Sequence, residues 1–277
     1  MVTARSAFSI KASEHGLYCH MQKIVLLFVA AVLSVAPAYS QPQRPDHLMP
    51  EDSLLSGGPS VVSSRYNELV VYVFSDGYSR DVTLRAVVLP SFSLEYLVGL
   101  RDDKIAGGTG YRVFYLRPSI HLWDYEILRL MQTGEMVQGS SNPKDDVAKL
   151  QADEIAKLKS RLPANPRDVP LTRCEKPLDA TVAQRVSAAW SSILHETRYP
   201  PAGPMLRFTD GTTYHFSGYF REEGFRFLAG QTRWPEPDSK PGRLAELADT
   251  LVRYCDGKAD AAELERQAAE LTERLDK

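Results

Sequence analysis

Apolar residues fall into short unbroken runs in the first half of the chain and into stripes at three- and four-residue spacing in the second. Leu69 to Phe74 and Thr83 to Leu89 are continuous runs of β-formers, and Tyr96 to Leu100 and Tyr111 to Leu116 follow them. Asp76-Gly77, Pro90 and Gly107-Gly108-Thr109-Gly110 punctuate the series, which predicts four short antiparallel strands. Ile120 to Met131 would suit either a strand or a helix; the spacing of Ile120, Trp123, Ile127, Leu130 and Met131 favours a helix that ends near Gly134. Val147, Leu150, Ile155, Leu158 and Leu162 make one stripe, with Lys149, Asp153, Lys157 and Lys159 elsewhere, so an amphipathic helix is expected between Pro143 and Leu162.

Pro163, Pro166 and Pro170 stiffen the passage to Cys174 and mark the expected boundary between two lobes. Beyond it, Leu178, Val182, Val186, Trp190 and Ile193 recur at helical spacing, with Asp179 as N-cap and Pro200-Pro201 as the stop. Met205–Phe208 and Thr212–Ser217 flank Thr209-Asp210-Gly211 and read as a hairpin. A two-residue loop would send the apolar residues of its strands to opposite faces. A three-residue loop with Gly211 left-handed collects Leu206, Phe208, Tyr214 and Phe216 on one side, and this register is expected. A third strand from Phe225 to about Thr232 adds Phe225, Phe227 and Ala229 to that inner face. Leu244, Leu247, Leu251 and Cys255 share a helical stripe that stops at Asp256-Gly257. Asp260 and Glu263 then resemble a capping box and open a last helix bearing Leu264, Ala268, Leu271 and Leu275.

The predicted fold class is α+β. A strand-rich N-terminal lobe (65–135) carries an antiparallel sheet, a helical and proline-rich connection (136–173) follows, and a C-terminal lobe (174–277) packs a three-stranded meander against helices. No internal repeat is present.

The N-terminal pattern is of another kind. From Met21 to Gln41, a start with one basic residue, Lys23, leads into the apolar run Ile24 to Leu33 and then into small residues, the order of a secretory signal peptide. Cleavage is expected after Ala38 or Ser40. The run falls short of the roughly 20 residues that cross a bilayer, and Pro37 and Gln41 follow, so no stable membrane anchor is expected once it is removed. Residues 1–20 have no such pattern, which points to Met21 as the true start. Residues 41–64, rich in Pro, Ser and Gly, read as a flexible leader that contributes little to the core. The address that follows is export from a bacterial-type cell, periplasmic or secreted.

Composition then narrows the partners. The 277 residues are 43% hydrophobic and 25% charged, as in an ordinary globular protein. The excised segment holds Arg5, Lys11 and Lys23 against Glu14, so the formal net charge moves from −2 to −4 on processing. A mildly acidic chain is a poor match for nucleic acid, which needs a concentrated basic surface. Removing Cys19 leaves Cys174 and Cys255, an even pair in an oxidising compartment, and a disulfide is the natural reading; two buried thiols are the alternative.

Candidate chemistry is sparse. The mature chain has four histidines, His47, His121, His195 and His215, and none is paired at metal-ligand spacing. His195-Glu196 lacks the second histidine of a zinc-protease helix, Tyr199 standing in its place. A G-x-S-x-G elbow is absent. Gly107 to Gly110 precedes a strand rather than a helix and reads as a turn, not a phosphate cradle. No metal, cofactor or catalytic residue is therefore assigned, and no run of residues carries a family motif.

Two groupings remain. His121, Asp124 and Glu126 form the densest cluster of potential acid/base groups, although two carboxylates two positions apart share a face on a strand and not on a helix. The hairpin register points Arg207, Thr213, His215 and Ser217 outward, with Arg226 expected to join them, as an open face able to bind a carboxylate, a sugar acid or an acidic protein surface. Trp234, ahead of Pro235, would rim that face or pack. The expected function is a non-enzymatic binding module for a protein or an envelope glycan. The alternatives are an extracytoplasmic hydrolase using His121, Asp124, Glu126 or His215, and a structural or inhibitory partner that docks through its last helix.

Overall fold

The computed structural model of the chain describes residues 45–51, 54, 61–133, 156, 160, 162–199, 210–220 and 226–275. Seven strands form one antiparallel sheet: β1 (Met49–Pro50), β2 (Val82–Pro90), β3 (Tyr96–Asp102), β4 (Tyr111–Pro118), β5 (Leu171–Leu178), β6 (Thr212–Phe220) and β7 (Arg226–Arg233), in the order β1-β7-β6-β2-β3-β4-β5. Among the described residues five α-helices accompany it: α1 (Val61–Val73), α2 (Leu122–Thr133), α3 (Ala180–His195), α4 (Lys240–Cys255) and α5 (Ala261–Leu275), the last packed on α3 and α4. The fold is α+β. None of the described helices is long and apolar enough to cross a membrane.

The largely apolar character of β2, broken by Thr83 and Arg85, has a simple cause: both of its faces are covered. Leu84, Ala86 and Val88 enter one core with Val98, Leu100, Val113 and Phe216, under α3, α4 and α5. Val82 and Val87 enter a second core with Leu97, Phe114 and Leu116, under α1 and α2. A strand buried on two sides shows no polar alternation. Trp190 of α3 anchors the first core, fully buried and edge-on to Phe216 with ring centroids 5.3 Å apart. Asp179 caps α3 as expected, its carboxylate accepting from the Thr181 and Val182 amides at 2.8 and 3.3 Å.

The disulfide is present. Cys174 on β5 and Cys255 at the end of α4 are bridged with Cα atoms 6.0 Å apart, closing a loop of 81 residues. The chain-entropy treatment assigns such a loop about 4.5 kcal/mol. The bridge ties the outermost strand to the helix above it. That strand was missing from the sequence reading, because Arg173, Glu175, Lys176 and Pro177 are the charged and proline-bearing residues that blunt an exposed sheet edge.

Several expectations give way. Leu69 to Phe74 is not a strand but the end of α1: Tyr66, Leu69, Val70 and Val73 form a helical stripe whose first turn lies in the supposed leader. That leader is also pinned further back, for β1 pairs with β7 and Leu48 is completely buried. The proline-spaced stretch does not divide the sheet, since β5 pairs with β4 and β6 pairs with β2. The expected strand Met205–Phe208 lies outside the described residues; β6 pairs with β2 on one side and β7 on the other. The helix of 143–162 falls almost wholly outside the described residues; Ala156 and Ser160, which are described, are helical. On α5, Leu264, Ala268 and Leu271 are buried in the first core, so the stripe expected to dock onto a second chain is used within the fold.

Candidate functional site

The sheet register builds a site that sequence reasoning did not find. Val88 of β2 pairs with Tyr96 on one side and Tyr214 on the other, so two tyrosines project from one sheet face on either side of it. Above them runs α4. Its start is fixed by Ser239, whose hydroxyl accepts from the Gly242 amide at 3.1 Å, and by Pro241 in the first turn. Gly242 is required there because a Cβ would sit 1.9 Å from the Glu236 carbonyl oxygen. With α4 so placed, Asp249 meets both tyrosines: the Tyr96 hydroxyl donates a short hydrogen bond to Oδ1, and Tyr214 donates to the same carboxyl.

Asp249 opens on a cleft of about 290 Å³. Thr212 and Tyr214 of β6 form one wall, the turn bearing Trp234, Pro235 and Pro237 a second, and Ala245, Glu246 and Asp249 of α4 a third. Trp234 is 50% exposed and adopts a left-handed φ of 46°. Its ring packs against Gly211, which has φ 121° and borders the same turn. A non-glycine residue in that region stores backbone strain, a feature that concentrates where a side chain must be presented in one direction.

Electrostatically the cleft is one-sided. Burial raises the Asp249 carboxyl above its ordinary range, against the opposing pull of the Tyr96 hydrogen bond, the Arg253 charge and Tyr214. Burial and the neighbouring carboxylate likewise raise both phenols, so they act as donors. Among the described residues no cation forms an ion pair with Asp249. Arg253 is turned to Glu263 at 2.8 Å and Thr250 at 2.7 Å, while Arg243 holds Glu246 at 2.8 Å and Asp238 at 2.7 Å.

The residues singled out in the sequence lie elsewhere. Thr213, His215 and Ser217 do share the opposite face of β6, but that face is not open. His215 is 5% exposed, and Glu51, Leu54, Tyr78 and Arg85 enclose it with Ser217 around a small cavity of about 10 Å³. Its Nδ1 lies 3.4 Å from Glu51 Oε1. The Arg85 guanidinium stacks 4.0 Å over the Tyr78 ring, and burial pushes the Tyr78 phenol up to about 12. Arg226 pairs with Phe220 and so points to the other side of the sheet; Phe227 and Ala229, expected on the inner face, share the His215 side instead. The parity of β7 follows from its pairing with β6, which the apolar pattern of β7 alone did not fix. Arg207 lies outside the described residues.

The acid/base cluster is split: His121 and Asp124 meet, whereas Glu126 pairs with Arg129. Glu126 is buried and held by Arg129 through two contacts at 2.9 and 2.6 Å. His121 has Asp124 Oδ1 at 3.5 Å and Glu95 Oε1 at 3.8 Å. Glu95, unremarked in the sequence, is fully buried and accepts from Tyr66 Oη at 2.9 Å, the Leu122 amide at 2.9 Å and the Trp123 amide at 3.1 Å. It closes the N-terminus of α2. Neither cavity takes in His121, Asp124 or Glu126. No group of His, Cys, Asp and Glu able to hold a metal ion occurs among the described residues.

Trp234, expected to rim the His215 face or to pack, instead lines this cleft beside Tyr214. Asp249 was silent because a single acid between Ala248 and Thr250 looks like any polar residue of an amphipathic helix; its meaning depends on which tyrosines the sheet puts beneath it. Comparisons with protein-family models, with curated proteins and with solved structures gave no match.

Proposed function

We propose that this chain is an exported binding protein, periplasmic or secreted, that holds an envelope glycan in the Trp234–Asp249 cleft without altering it chemically. The observation that carries the reading is the cleft's pairing of aromatic faces with carboxylates. A sugar ring has an apolar face that packs on an aromatic side chain and hydroxyls that donate to carboxylate oxygens. Trp234 and Tyr214 supply the first kind of surface and Glu246 and Asp249 the second. The volume is at the lower end for ligand pockets, suited to one ring of an oligosaccharide. Export rests on the Met21–Gln41 pattern and agrees with the Cys174–Cys255 bridge, since disulfides persist outside the reducing cytoplasm.

A hydrolase is the second reading, and one observation favours it: a carboxyl raised by burial stands in a cleft beside another carboxylate, as acid/base catalysis requires. The pair would be Asp249 and Glu246, not the histidine cluster expected from the sequence.

Both are tested by titrating the oxidised protein with envelope oligosaccharides while following tryptophan fluorescence and the release of reducing ends. Binding without release, weakened about tenfold or more by Trp234→Ala, is expected. Release that disappears in Asp249→Asn would make the protein a hydrolase. Binding indifferent to Trp234→Ala would remove the cleft as the site. Intact mass of the exported protein is expected to show cleavage after Ala38 or Ser40 and two hydrogens fewer than the dithiol form.

A further inference from the structure

We infer that the cleft recognises a protonated amino group, so that its glycan carries free amines, as glucosamine does, in place of N-acetyl groups. The inference rests on the glycan reading above and adds the charge of the ligand to it.

Four groups determine the field in the cleft, and all have the same sign. Glu246 and Asp249 contribute carboxylates, and the rings of Trp234 and Tyr214 contribute the negative faces of their quadrupoles. An ammonium ion is attracted by both kinds of group, and the attraction to a ring grows when the cation is desolvated. Arg243 offsets the Glu246 charge, whereas among the described residues no ion pair offsets Asp249. Arg243 lies between Asp238 and Glu246, and Arg253 is turned away to Glu263. The hydroxyls of Tyr96 and Tyr214 are both spent on Asp249, so they offer no donor to an anionic sugar.

A neutral sugar would leave the Asp249 charge compensated by two phenols and the field of Arg253, with no ion pair. A buried carboxylate in that state favours its neutral form, in keeping with the upward displacement at Asp249. A ligand ammonium supplies the missing countercharge, and a uronic acid is repelled. Affinity then depends on pH through two protons. It rises as Asp249 ionises and falls again where the ligand amine loses its proton. The charged and titratable groups facing Asp249 are Tyr96 from β3, Tyr214 from β6, and Glu246 and Arg253 on α4, with Tyr115 behind Tyr96. The phenols stay protonated throughout that range, so Asp249 dominates the acid limb.

The experiment is calorimetric titration of the oxidised protein with a glucosamine tetramer and with the N-acetylglucosamine tetramer, near neutral pH and at low and high salt. The glucosamine tetramer is expected to bind at least about tenfold tighter, with the preference eroded by salt. Asp249→Asn and the more exposed Glu246→Gln are each expected to weaken the glucosamine tetramer more than the acetylated one and so bring the ratio towards one; near-ultraviolet circular dichroism checks that both variants remain folded. Equal or tighter binding of the acetylated tetramer would overturn the ammonium inference and leave the glycan reading standing. Binding of an oligolysine peptide but of neither tetramer, lost in Asp249→Asn, would keep the ammonium and overturn the glycan. No binding of any of the three would overturn both.

Discussion

Two carboxyls, the buried Glu95 and the half-buried Asp249, lie under opposite layers of the sheet, and each receives a tyrosine hydroxyl: Tyr66 donates to Glu95 and Tyr96 to Asp249. Their remaining partners differ. Glu95 takes two backbone amides at the start of α2, where the helix dipole also favours a negative charge, and it is sealed from solvent. Asp249 sits in mid-helix, gains only a second phenol, and opens on the cleft. The first is a completed structural cap; the second holds a charge that the fold alone leaves poorly compensated. Chemistry of binding is therefore sought at the second, although sequence reasoning had placed acid/base candidates beside the first.

The comparison can be broken most forcefully through the disulfide, which holds α4 and not α2. Cys174→Ser with Cys255→Ser is expected to remove about 4.5 kcal/mol of stability. Hydrogen exchange is expected to quicken in α4 and β5 first, while α2 keeps its protection; equal loosening of both helices would mean that the bridge does not position the Asp249 side.

Glu95→Ala comes next. It leaves two amides and a phenol without their acceptor in a sealed place, and a loss of about 3 kcal/mol is expected by denaturant unfolding. Asp249→Asn is expected to change stability by no more than about 1 kcal/mol, because it removes an unfavourable charge along with hydrogen bonds. A greater loss for Asp249→Asn than for Glu95→Ala would reverse the assignment of roles.

Asp249→Asn also carries a pH signature. The folded Asp249 carboxyl holds its proton to higher pH than the unfolded one, whose value is about 3.9. The native state thus binds more protons through that window, and this group's contribution to stability declines as pH rises from the unfolded value to the folded one. Asp249→Asn is expected to flatten that decline. The smallest effects are those of the tyrosines: Tyr66→Phe and Tyr96→Phe are each expected to lower stability by about 1 kcal/mol. Only Tyr96→Phe should move the Asp249 titration, and upward, as read by carboxyl carbon NMR.

Strands β2, β3 and β4 and helices α2 to α5 were legible because each carries its own period, breaker or cap, as Asp179 does for α3. Leu69 to Phe74 was misread because a short apolar run has no period of its own; Tyr66 and the turn before it supply the helical stripe. The edge strand β5 was hidden by its charges. His215 was correctly placed on the face opposite Phe216, yet read as exposed, since alternation along a strand says which side a residue takes and nothing of what covers that side.

The sequence by itself determined the α+β class, the capped α3 helix and the cysteine pair that the fold joins. All of these are local or compositional properties, carried by neighbours in the chain. Only the tertiary structure decided that strands from the two halves would interleave in one sheet, that Tyr96 and Tyr214 would flank Val88, and that α4 would lower Asp249 onto them. Val88 and Tyr214 are 126 positions apart, Tyr96 and Asp249 153, and Tyr214 and Asp249 35, and no periodicity along the chain encodes contacts that far removed.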